Sequence, residues 1–85
     1  MKVQKSNGTL QDFDIEKIKL VIGRVSDEVD ESLNSSDINT ISKEVLETVK
    51  REHNEVVVHS DLRQIVYKAL KDYGFTDVAN AYMRG

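Results

Sequence analysis

Val3-Gln4-Lys5-Ser6-Asn7-Gly8-Thr9-Leu10-Gln11-Asp12-Phe13, running on into Asp14-Ile15-Glu16-Lys17-Ile18, decides how the rest of the chain is read. It is a tight hairpin that feeds directly into an amphipathic helix. Asn7-Gly8 supplies the reversal, because Gly, and Asn to a lesser degree, tolerates positive φ. Two registers are open. A two-residue Asn7-Gly8 turn pairs Lys5 with Leu10 and Val3 with Asp12. A three-residue loop, Ser6-Asn7-Gly8 with Gly8 left-handed, pairs Lys5 with Thr9 and Val3 with Gln11. Alternation then places Val3, Lys5, Thr9, Gln11 and Phe13 on one face. The second register is preferred, since the first sets Asp12 beside Val3 on the buried side. Strands this short and polar are marginal alone in water and need a body to pack on.

That body follows in helical period. Asp14 is placed to cap the first helix, and Phe13 with Ile18 fits a hydrophobic staple across the cap. Ile15, Ile18, Val21, Ile22, Val25 and Val29 form its apolar stripe. Asp27, Glu28, Asp30 and Glu31 read as a solvated acidic terminus. Asn34, Ser35 or Ser36 caps a second helix carrying Ile38, Ile41, Val45, Leu46 and Val49. It ends in Lys50, Arg51 and His53, which suit the negative end of the dipole, with Asn54 as a left-handed stop. Glu55-Val56-Val57-Val58-His59 is β-branched and reads as a strand beside the hairpin, its valines buried on both faces. Ser60 or His59 caps a third helix with Leu62, Ile65, Val66, Ala69, Leu70 and Tyr73 inward. Gly74 closes it, with Phe75 folding back on Leu70. Thr76 caps a short last helix with Val78, Ala79 and Tyr82 on one side. The order is β-β-α-α-β-α-α: an α+β fold in which a small three-stranded sheet caps a four-helix body, as one domain over residues 1–85.

Composition narrows the function. At 85 residues the chain has room for one thin core. It has no cysteine, which removes disulfides and thiolate metal sites, and no apolar run long enough to span a bilayer. The N-terminus lacks the apolar stretch of a signal peptide, so the expected location is the cytosol. A net charge of −3 argues against nonspecific nucleic-acid binding and leaves room for a small anionic ligand. A helix-turn-helix reading of the last two helices fails on the same acidity and on the shortness of the final helix.

Catalytic constellations are scarce. His59-Ser60-Asp61 has triad residue types, but neighbours in sequence point in different directions and cannot relay a proton. His53, Glu55 and His59 lack the fixed geometry of a metal site. Neither a phosphate-binding loop of the Walker type nor a dinucleotide fingerprint occurs. No catalytic residue and no metal ligand is assigned, and the chain is not read as an enzyme. What remains is a set of cations. Lys5 lies on the hairpin, Lys17 on the first turn of helix one, and His59 and Arg63 at the start of helix three, where free N–H groups favour anions. If the hairpin sits beside that helix start, these groups converge on one pocket suited to a triphosphate.

Val3-x-Lys5-x-x-Gly8, Phe13-Asp14-x-x-Lys17-Ile18, Val57-x-His59-Ser60-x-Leu62 and Ala79-x-x-Tyr82 together resemble the ATP-cone domain. That family is the nucleotide-sensing module of many ribonucleotide reductases, the anaerobic ribonucleoside-triphosphate enzymes especially, and of the repressor of their genes. The resemblance covers nearly the whole chain. It implies ATP or dATP as effector, accompanied by Mg2+, and no catalysis within the domain. It also implies contacts to the nucleotide from Val3, Lys5, Ser6, Gln11, Asp14, Lys17, His59 and Arg63. Its implied partners are a ribonucleotide reductase catalytic body, another cone or a second copy in a homo-oligomer, with no membrane and no direct nucleic-acid contact.

There are departures. Ser6 stands where the family usually has a second basic residue, and Gln11 where an acidic one is common. One charge-assisted hydrogen bond contributes about 1.5–3 kcal/mol, so its absence weakens binding by about one to two powers of ten. The chain also lacks the zinc-ribbon cysteines of the repressor, so it is not expected to be an intact repressor but an isolated domain or a free-standing cone. The rival reading is a degenerate cone serving as a protein–protein module without nucleotide.

Overall fold

The computed structural model describes residues 1–84. Strands β1 (Lys2–Gln4) and β2 (Leu10–Asp12) form the hairpin. Helices α1 (Ile15–Glu28) and α2 (Ser35–Glu52), strand β3 (Val56–Val58), and helices α3 (His59–Asp72) and α4 (Thr76–Arg84) follow. The α+β fold and its order β-β-α-α-β-α-α are therefore as expected.

β1 is the central strand. It runs antiparallel to β2, with Val3 opposite Gln11, and parallel to β3, with Val3 opposite Val57. The reversal is the three-residue loop. Lys5 N donates to Thr9 O at 2.8 Å and Gly8 N to Lys5 O at 2.9 Å. Gly8 has φ +86°, which a side chain would resist, and Asn7 Oδ1 accepts from Thr9 N at 3.0 Å. The hairpin thus takes the register that keeps Val3 inward and Asp12 outward.

Helices cover one face of the sheet. Val3 and Val57 are buried beneath it, while Val56 and Val58 remain 38% and 43% exposed on the other side. Burial of the valine run on both faces is thereby corrected: the run alternates as any half-covered strand does. The strand also ends sooner than expected. His59 and Ser60 lie inside α3, whose N-cap position is Val58 and has no side-chain cap.

The helix ends explain the other departures. Asp14 caps α1, accepting from Glu16 N at 3.0 Å, and Asn34 with Asp37 makes a reciprocal capping box on α2. α2 leaves through an extended His53, and Asn54 is not left-handed; Asp30 is the one non-glycine residue at positive φ among those described. Asp30 ends α1 with a Schellman pattern, Glu31 N donating to Ser26 O at 3.2 Å. Gly74 ends α3 in the same way, Phe75 N donating to Leu70 O at 2.9 Å. Tyr73, expected inward, is the C-cap residue of α3 and is exposed because it lies past the core-facing arc.

Thr76 is the first residue within α4 rather than its cap. The cap comes from a distance: Glu31 Oε1 accepts from Val78 N at 3.1 Å. At the other end, Arg63 Nη2 donates to Met83 O at 2.6 Å and Tyr82 O at 3.3 Å. The acid therefore meets the positive end of the α4 dipole and the base its negative end.

Ile18, Ile22, Ile41, Val45 and Leu70 are buried as expected, and Val49, Val57, Val66 and Val78 join them. Ile65 is only half-buried and packs on the rim of this core. Ser26 and Ser42 are buried with their hydroxyls turned back to Gly23 O at 2.8 Å and Ile38 O at 2.7 Å, so neither is unsatisfied.

Candidate functional site

The hairpin, the start of α1, the start of α3 and the end of α4 enclose a cavity of about 290 Å³. Six of the eight residues singled out above line it: Val3, Lys5, Gln11, Asp14, Lys17 and His59. Their convergence has a local cause for each. Strand parity turns Val3, Lys5 and Gln11 to the same side. Asp14 lies where the hairpin enters α1, and Lys17 projects from the first turn beyond it. β3 lies beside β1 in parallel, so its C-terminal end delivers His59 next to the loop end of the hairpin.

The other two stand apart from that lining. Ser6 belongs to the exposed hairpin loop next to Lys5. Arg63 is half-buried and directed to the carbonyls of α4. The cavity also has a wall that reasoning from charge did not assemble: Phe13, Ile18, Val21, Leu62 and Tyr82. Helical period marks Ile18, Val21, Leu62 and Tyr82 as inward-facing and the staple marks Phe13, but only tertiary packing leaves part of their surface open to a ligand. The result is a site with two chemistries, an apolar wall from the helices and a cationic rim from Lys5 and Lys17.

The charges are unevenly engaged. Asp12 is ion-paired with Lys2, whose hydrogen bond and charge hold its carboxyl below the usual carboxylate range. Asp14 is occupied by the N-terminus of α1. Among the described residues, Lys5 and Lys17 make no ion pair. The acids at this cavity thus already have partners and its lysines do not, which gives it a local preference for an anion despite the acidic total. α3 opens beside His59 without a side-chain cap, adding its positive dipole end. Tyr82 titrates above the usual tyrosine range because burial penalises the phenolate, an effect that the nearby Arg63 guanidinium partly offsets.

A larger groove of about 460 Å³ runs between α2 and α3. Glu44, Glu52, Asp61 and Asp72 line it alongside Arg51 and Lys68. Carboxylates outnumber cations there, and Lys68 is held by Asp72 at 3.0 Å. Its size is greater, but its charge opposes a phosphate.

The model of the ATP cone domain matches residues 1–84. The chain belongs to the ATP-cone family. Comparison with curated proteins returns no significant match. ATP-cones are regulatory, nucleotide-binding domains without catalysis of their own. The cone's small sheet and helix starts are the elements that line the cavity described above. Among the described residues no helix is long and apolar enough to cross a membrane.

Proposed function

We propose that this cone binds ATP or dATP in the hairpin cavity, and that occupancy regulates an attached or partner protein connected with ribonucleotide reduction in the cytosol. The observation that carries this reading is the pair of unpaired lysines, Lys5 and Lys17, facing a cavity whose carboxylates are already engaged. The phosphates would meet these lysines, with His59 and the uncapped start of α3 beside them. The base and ribose would lie toward Phe13, Val21, Leu62 and Tyr82, the apolar wall. Val3 and Gln11 supply the strand side, Asp14 a carboxylate next to the ribose, and Ser6 a hydroxyl beside Lys5. The volume is near the lower end of ligand cavities, about 300–1,000 Å³, so the triphosphate would extend over the exposed lysines. Mg2+ would arrive with the nucleotide, since Asp12 and Asp14 are already engaged.

Regulation follows from differential affinity. A nucleotide that binds one arrangement of the cone and its partner better than another shifts the equilibrium between them. The partner would be a reductase body, another cone or a second copy of this chain. Calorimetric titration with ATP, dATP and GTP in the presence of magnesium, to millimolar levels, tests the reading. Saturable heat with ATP and dATP is expected. No heat with either removes it and leaves the second reading, an interaction module whose pocket has lost its ligand, which Ser6 in place of a second cation favours.

A further inference from the structure

We propose that Arg63 is a positioning residue for the nucleotide: it clamps the last turn of α4 and so holds Tyr82 as a wall of the cavity, without itself contacting phosphate. This rests on the nucleotide reading above. Arg63 lies one helical turn after His59 on α3 and so shares its face. Its Nη2 is directed past the cavity to two carbonyls of the final α4 turn, Tyr82 O and Met83 O. Those carbonyls have no partner within the helix, because the last turn of any helix leaves them over. A planar guanidinium presents its donors in a rigid fork, so it fixes the direction of the carbonyls it holds as well as their distance.

Tyr82 is the residue that α4 contributes to the cavity lining. Its ring is attached to the very peptide that Arg63 grips. α4 spans Thr76–Arg84, well short of the roughly 12–15 residues at which an isolated helix becomes even marginal. The position of its last turn is therefore set by tertiary contacts, and among the described residues Arg63 Nη2 supplies a polar one at that end. The guanidinium also opposes the effect of burial on the Tyr82 phenol, as a cation bonded to that residue's own carbonyl should. A phosphate drawing Arg63 away would leave two carbonyls without their donor, whereas Lys5 and Lys17 meet an anion without giving up any ion pair.

The two roles differ in what they do to a ligand series. AMP, ADP and ATP share base and ribose and differ in phosphate charge. A positioning Arg63 acts at the base end, so Arg63→Met weakens all three by the same factor, about tenfold. Lys5→Ala, in contrast, loses more with each added phosphate. Arg63→Lys keeps a donor at the carbonyls and recovers part of the loss. Combined with Tyr82→Ala, Arg63→Met adds little further, since both remove one wall. The Tyr82 ring resonances, followed by NMR without ligand, shift in Arg63→Met, where loss of the charge also moves their titration to higher pH, and shift less in Arg63→Lys, which keeps a cation. A loss in Arg63→Met that grows with phosphate number, no loss at all, or unmoved Tyr82 resonances each overturn the assignment while nucleotide binding stands. A wild-type cone that binds none of the three removes the nucleotide reading itself.

Discussion

Replacing Glu31 by Ala should loosen α4, although Glu31 lies in the turn after α1 and far from α4 in sequence. Its carboxylate is half-buried and accepts the Val78 amide, a first-turn donor that has no partner within α4. Losing an N-cap acceptor costs about 0.5–2 kcal/mol, and losing a negative charge at the positive helix end about 0.3–1 kcal/mol. The two overlap, because the carboxylate supplies both, so the expected total for Glu31→Ala is about 1–2 kcal/mol. Glu31→Gln keeps the acceptor and loses the charge, and should cost about 0.3–1 kcal/mol. In a domain of this size 1 kcal/mol moves Tm by about 4–8 °C. Thermal and urea melts of Glu31→Ala, Glu31→Gln and Glu28→Ala separate the cases, Glu28 being an exposed acid on α1. Hydrogen exchange at the Val78 amide should quicken in Glu31→Ala before the core of α3 is affected. If Glu31→Ala and Glu28→Ala differ by less than about 0.5 kcal/mol, or Val78 exchange is unchanged, the cross-chain cap does not hold α4.

Lys5→Ala should weaken ATP and dATP alike by about one to two powers of ten, because the ribose is untouched; a strong change in their ratio by calorimetry would place Lys5 away from the phosphates. Ile22→Ala, at a fully buried site, should cost about 2–5 kcal/mol in denaturant melts, and Ile65→Ala, at the rim, clearly less. Equal costs would mean that α3 packs by a different face. The raised Tyr82 titration carries a sign: the folded state holds the proton more tightly, so its contribution is complete below the ordinary tyrosine range and is lost as pH rises from about 10 toward the folded value. Tyr82→Phe should flatten that alkaline fall in stability, and an unchanged slope would contradict a buried phenol.

Where a local rule has one solution, the fold was readable from residues. Both hairpin registers leave Gly8 left-handed, and strand parity chose between them: only the three-residue loop keeps Asp12 off the face of Val3, so the pairing of Val3 with Gln11 followed, and with it the face carrying Lys5. Phe75 closing on Leu70 behind Gly74 was legible for the same reason. Several of the misreadings needed a partner distant in sequence. Three valines in a row look doubly buried until the number of layers is known, and here helices lie on one side only. Asp30 and Glu31 resemble a solvated acidic run, yet one ends α1 in the left-handed region and the other caps α4. Asn54 has the intrinsic tolerance for a left-handed stop, but α2 passes into β3 through extended backbone, so that tolerance goes unused. In the site, parity and helix starts were enough for the cations. Tyr82 was visible as a helical stripe residue and as part of the Ala79-x-x-Tyr82 motif, but not as a wall of the site, because nothing local tells a packed ring from one that borders a cavity.

The parallel pairing of β1 with β3 has a kinetic consequence. Lys2 N donates to Glu55 O at 2.7 Å, so the first strand is stitched to a segment beyond two helices. Helical contacts are local and form early, whereas this closure carries the entropy of a long loop and comes late. The hairpin also has Val3 as its one buried residue, which makes it the unit that detaches at least cost once the molecule is folded. Lys5 and Gln11 travel with that unit, while His59, Leu62 and Tyr82 stay with the helices. The cavity is thus the last part of the chain to be completed and the first to come apart. A ligand reaching from Lys5 to His59 would bridge that seam, and its binding energy would register as slower exchange of the β1 amides before any change in the melting of the helices.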